Sequence, residues 1–134
     1  MAREPSARRP PELLSVYVVV AGPRTWRSLK LALDTGATYT MLPPDLLFDV
    51  GYDPTKAQRH LELSTANGLV VVPLLRIGTL RCLGLTLKDV EVVAHHLPPE
   101  SPVEGLLGLN VLTHWTPFRA FSQAAQPFHR PTTR

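Results

Sequence analysis

Asp34 has the setting that most invites chemistry. It directly follows Ser28-Leu29-Lys30-Leu31-Ala32-Leu33, whose polar–apolar alternation is the period of a half-buried strand. A carboxylate at the end of an apolar strand is costly to ionise unless it is hydrogen-bonded or paired. The next residues supply that capacity: Thr35 offers a hydroxyl, Gly36 lets the backbone turn so that its N–H approaches the carboxylate, and Ala37 is small. The same four residues also suit a plainer role, an Asx-turn closing a β-bend. The remaining aspartates occur as Asp45-Leu, Asp49-Val, Asp53-Pro and Asp89-Val, and none precedes Thr-Gly or Ser-Gly.

Other reactive residue types are poorly placed. His95 and His96 are neighbours, and on a strand their side chains point to opposite faces, so they read as a surface strand end and not as metal ligands. His60, His114 and His129 are scattered. Cys82 stands alone in an apolar run and reads as a small buried hydrophobe; as a nucleophile it would need a histidine partner. A single cysteine excludes a disulfide scaffold and a multi-cysteine metal site. No metal and no cofactor is expected.

The elements that must position Asp34 come from a chain of 134 residues, 44% apolar and 19% charged, which suits one modest core. No apolar run approaches the 18 or so residues of a membrane span. Residues 1–12 carry charges and prolines and no apolar h-region, so no secretory signal is read there and the cytoplasm is the expected compartment. The formal charge of +3 sits in the ends: residues 13–112 hold eight Lys/Arg against nine Asp/Glu, while 113–134 hold three Arg and no acid. A nucleic-acid groove would want a basic stripe on the domain itself, so nucleic acid is not an expected partner.

Residues 13–113 read as one domain, flanked by a disordered tail over 1–12 and an irregular tail over 114–134. Strands are expected over 14–20, 28–33, 39–42, 61–65, 69–77, 81–87 and 90–94, the last two joined by a Lys88-Asp89 turn. Pro43–Val50 suggests a short helix with proline in its first turn and Gly51 at its C-terminal cap. Asn67-Gly68 between two apolar strands is the strongest short hairpin signal. Strands at roughly ten-residue spacing predict an all-β fold, a small closed barrel with one or two short helices.

Three features recur in order: Asp34-Thr35-Gly36-Ala37, the hairpin tip Ser64-Thr65-Ala66-Asn67-Gly68, and Gly105-Leu106-Leu107-Gly108-Leu109-Asn110. Together they resemble the retropepsin-like, single-domain aspartic proteases over about residues 14–112. The resemblance implies one barrel lobe per chain, with Asp34 catalytic. It implies that Thr35 braces the site loops across a dimer axis, Gly36 binds the carboxylate through its backbone, and Ala37 lines the site. Ala66, Asn67 and Gly68 become the tip of a flap over a peptide or protein substrate, and Leu106, Leu107 and Gly108 pack beneath the catalytic loop, with Asn110 starting a helix. Two carboxylates sharing one proton would activate a water, with no metal and no covalent intermediate. The chain holds one such Asp-Thr-Gly, so the second Asp34 must come from another copy, which makes the expected active form a homodimer.

The family's chains continue into a terminal strand, whereas residues 113–134 carry Pro117, Pro127 and Pro131 with little alternation, and only 118–121 suggests a strand stub. The alternative reading is therefore a catalytically inactive or truncated domain acting as a dimerisation or peptide-binding module. A third is an unrelated barrel in which Asp34 caps a turn.

Overall fold

The computed structural model describes residues 14–124, with the backbone alone for 121–124. The tail expected over residues 1–12 and the stretch 125–134 lie outside the described residues. Among the described residues there are seven strands: β1 (Ser15–Ala21), β2 (Trp26–Leu33), β3 (Thr40–Leu42), β4 (Arg59–Thr65), β5 (Gly68–Cys82), β6 (Leu85–Ala94) and β7 (Gly105–Leu107). They are joined by α1 (Pro44–Val50), a 3-10 turn (Pro54–Lys56), α2 (Leu109–Leu112) and α3 (Thr116–Ala124).

The sheet order is β1-β2-β7-β3-β6-β5-β4, and a further β1–β5 pairing closes the first six strands into a barrel. The fold is therefore all-β, with β4 hung on the outside of the ring through β5. Alternation explains the closure. Val18, Val20, Leu29, Leu31, Leu80 and Val92 point inward and are almost fully buried, and Leu47, Val50, Val111 and Leu112 of the helices plug the same core. Each such side chain contributes about 1.5–3 kcal/mol on burial.

Two parallel pairings matter for Asp34. β2 runs alongside β7 with Leu33 opposite Leu107, and β3 runs alongside β6. β3 meets β7 at Met41 and Leu106, where Gly105 is required: a Cβ there would lie 2.2 Å from the Met41 carbonyl oxygen. The short β7 thus wedges between the strands that lead into and out of the Asp34 loop.

α1 begins at Pro44, and Gly51 ends it at φ 118°, as its glycine suggested. Two other expectations are corrected. The turn expected at Lys88-Asp89 falls instead at Leu83-Gly84, where both residues are left-handed (φ 54° and 76°) and β5 folds back into one continuous β6. That pair of positive φ values matches the twist of two antiparallel strands, but a leucine carries no such signal in sequence. Asp89 lies inside β6 with φ 56°, a local irregularity and not a chain reversal. The tail expected to be irregular from residue 114 forms α3 over Thr116–Ala124. Pro117 lies in the first helical turn, where a missing N–H costs nothing, and Phe118 packs against the barrel core. The strand stub expected at 118–121 is therefore helical.

Candidate active site

Asp34 leaves β2 half-buried, and its loop is fixed by backbone bonds before any side chain acts. Its N–H donates to the Leu107 carbonyl (3.0 Å), and its own carbonyl accepts from the Ala37 N–H (3.2 Å). The Gly36 N–H donates to Asp34 Oδ1 at 2.9 Å, the contact anticipated from sequence. The reason for glycine differs from the expected one. Gly36 is not among the positive-φ glycines, but a Cβ there would stand only 3.2 Å from Asp34 Oδ1. Thr35 and Gly36 are exposed and Ala37 is half-buried, so the loop presents one carboxylate oxygen region to open surface.

The Leu106-Leu107-Gly108 segment lies under this loop. Leu107 is fully buried, and the Leu109 N–H donates to the Ala37 carbonyl at 2.8 Å. Gly108 passes so close that a Cβ would meet the Tyr39 carbonyl oxygen at 2.5 Å and that of Ala37 at 2.9 Å. No side chain fits there without moving backbone.

Sequence reasoning missed the polar network that fastens these pieces. Thr40 is fully buried, the one buried polar residue among those described. Its hydroxyl donates to Asn110 Oδ1 (3.0 Å) and accepts from the Gly108 N–H (3.0 Å). Its N–H donates to the same Asn110 oxygen at 3.1 Å, and Asn110 Nδ2 donates to the Glu91 carbonyl at 2.7 Å. The resemblance gives Asn110 only the start of a helix. Thr40 carried no signal, because threonine in a short strand is ordinary β composition.

The hairpin tip forms at Ala66-Asn67, with Gly68 at φ 110°. The Thr65 hydroxyl donates to the Gly68 carbonyl and accepts from the Asn67 N–H, so the tip is held within itself. The hairpin reaches toward the Asp34 region through packing. Met41, Val72, Leu74 and Val93 form a second buried cluster, flanked by Tyr39, Leu61, Leu63, Val70 and Leu106. Leu106 therefore touches this cluster while Leu107 belongs to the main core. Leu69 and Val71, on the other face of the hairpin, are about two-thirds exposed.

Two hollows lie away from Asp34. One of about 360 Å³ is bordered by Arg76, Lys88, Glu91, Asn110 and His114, and one of about 340 Å³ by Val19, Ala21, Trp26, Thr79 and Arg81. Neither takes in Asp34. Burial pushes the Cys82 thiol up to about 11, so it is not the ionised nucleophile of a thiol enzyme at neutral pH. His96 stands 3.7 Å from Asp45 with both side chains exposed. Among the described residues, no group of three or more His, Cys, Asp and Glu is placed to hold a metal ion, and no helix is long and apolar enough to cross a membrane.

Comparison with known proteins adds a family. A family model described as aspartyl protease matches residues 16–111, from β1 into α2. No curated protein matches the chain.

Proposed function

Because the chain belongs to the aspartyl protease family, we propose that it is an endopeptidase whose active unit is a homodimer, with one Asp34 contributed by each copy. The observation that carries this is the Asp34 loop itself. Its backbone is pinned from below by Leu107 and Leu109, one carboxylate oxygen takes the Gly36 N–H, and the crown at Thr35 and Gly36 is bare. A second copy brought up on a two-fold axis would supply the missing carboxylate, and the exposed Thr35 would brace the two loops across that axis.

The chemistry follows from like charges held close. Two carboxylates side by side cannot both ionise easily, so the pair keeps one proton over a window of pH. The ionised member takes a proton from a water between them while the protonated member hydrogen-bonds the scissile carbonyl oxygen. Attack gives a tetrahedral diol, and proton return to the amide nitrogen releases the two fragments. The apolar hairpin cluster and the Ala66-Asn67-Gly68 tip would cover an extended peptide, favouring cleavage between bulky apolar residues. Residues 13–113 would make up the working domain, and the single cysteine suits the cytoplasm.

One observation favours the second reading, a peptide-binding or dimerising module without turnover. Residues 116–124 are helical where a strand shared with the partner would have strengthened a dimer. A peptide library between about pH 4 and 7, over a range of protein concentrations, separates the two. Cleavage that rises faster than linearly with protein and disappears in Asp34→Asn supports the protease. Library peptides retained without cleavage, equally by wild type and Asp34→Asn, support the module.

A further inference from the structure

β4 pairs with β5 from Arg59–Leu74 to the tip at Thr65–Gly68, whereas β6 takes up β5 only from Leu74 onward. Residues 68–73 of β5 and the whole of β4 therefore project beyond the closed barrel as a two-stranded arm. A two-stranded arm is weakly held by its own ladder, so its angle depends on what grips its root.

Leu61, Leu63, Val70 and Val72 pack it against Met41 and Val93, and an ionic contact crosses its root. Glu91 of β6 lies opposite Arg76 of β5, and its carboxylate accepts a hydrogen bond from the Arg59 guanidinium, which reaches across β5 from β4. Arg76 adds a second contact at 3.6 Å. These three side chains make an ionic rung across β4, β5 and β6 at the line where the arm leaves the barrel. The carbonyl of the same Glu91 accepts from Asn110 Nδ2. From Asn110 the bonds run to Thr40, from Thr40 to the Gly108 N–H, and from neighbouring Leu107 to the Asp34 N–H. The arm root and the floor of the Asp34 loop thus meet on one residue.

We propose that Glu91 is a positioning residue that couples the β4–β5 arm to the Asp34 loop, setting how the arm closes on substrate. The proposal rests on the endopeptidase reading for its substrate, but the coupling has its own readout. The rung is partly exposed, with Arg59 at 57% and Glu91 at 26%, so its effect is that of a modest ion pair and not of a core contact.

The test uses Glu91→Gln, which keeps the shape and the main-chain carbonyl, and Arg59→Met, which keeps the stem. Amide hydrogen exchange is followed in 59–73 and in 34–38. Exchange roughly two- to fivefold faster in both segments, in both variants, is expected for one ion pair lost from a coupled system. KM should rise by a similar factor with kcat unchanged, because the arm binds ground and transition states alike. The double variant should be no worse than Glu91→Gln alone, which already loses both arginine contacts. Faster exchange confined to the arm, or a drop in thermal stability with KM unmoved, overturns the proposal. A wild-type chain that cleaves nothing defeats the endopeptidase reading alone, since exchange still decides the coupling.

Discussion

Replacing Asn110 by Ala strands several groups at once: the Thr40 N–H loses its acceptor, the Thr40 hydroxyl loses one of two partners, and the Glu91 carbonyl loses its donor. Buried polar groups left without partners cost about 1–3 kcal/mol each, so Asn110→Ala should lose roughly 2–4 kcal/mol of stability, read as a lower denaturant midpoint at unchanged m. Asn110→Asp keeps the acceptor and loses the donor, and should lie between. A loss under half a kcal/mol would mean that water replaces the network. Glu91 gives a prediction in pH. The hydrogen bond from Arg59, the largest cause, and the charges of Arg59 and Arg76 hold its carboxyl below the usual 4.5. A depressed acid stabilises the fold above the unfolded value, and that contribution is lost as pH falls through the folded value. The gap in melting temperature between wild type and Glu91→Gln should thus be full near neutrality and close as pH falls below the usual 4.5 and through the lowered folded value. A gap that widens in acid would contradict the ion pair.

At the scale of elements, the sequence spoke where local rules suffice and fell silent where tertiary contacts decide. Alternation in 28–33, proline and glycine around α1, and Asn67-Gly68 each act through their own backbone, and each element is present. The Leu83-Gly84 turn was missed because a leucine at φ 54° is paid for by strand pairing on both sides. α3 was missed because Pro117 reads as a breaker unless the helix start is known, and because Phe118 gains its reason from the barrel it covers. The same division holds in the site. Asp34 and Gly36 are legible through neighbours two residues apart, while Thr40 and Asn110 meet across 70 residues. Gly108 supplies the test at this scale. Its contacts are backbone carbonyls that cannot swing away, so Gly108→Ala should displace the loop from β7 and cost several kcal/mol, whereas Gly68→Ala meets nothing within 4 Å and should cost only the left-handed penalty of about 1–2 kcal/mol. Equal losses at the two positions, measured by denaturation, would show that close approach is not what Gly108 provides.

As a whole, the described chain is one closed barrel with a two-stranded arm. A closed six-strand ring carries the Asp34 loop, whose crown at Thr35 and Gly36 is exposed. If the proposed carboxylate pair draws one Asp34 from each of two copies, the pair can be counted without a structure of the dimer. Wild type and Asp34→Asn are mixed at constant total protein, unfolded and refolded together so that copies exchange at random. If both carboxylates of a dimer are required, only dimers of two wild-type chains turn over, and the rate falls as the square of the wild-type fraction. At equal mixing it should be about one quarter of the pure wild-type rate. Chains that work singly would follow the fraction itself and retain about one half. A dimer whose two Asp34 loops act independently would also give one half, so the squared law tests the shared site and not merely association. The measurement belongs well above the protein concentration at which the rate per chain stops rising, where free monomer no longer distorts the count.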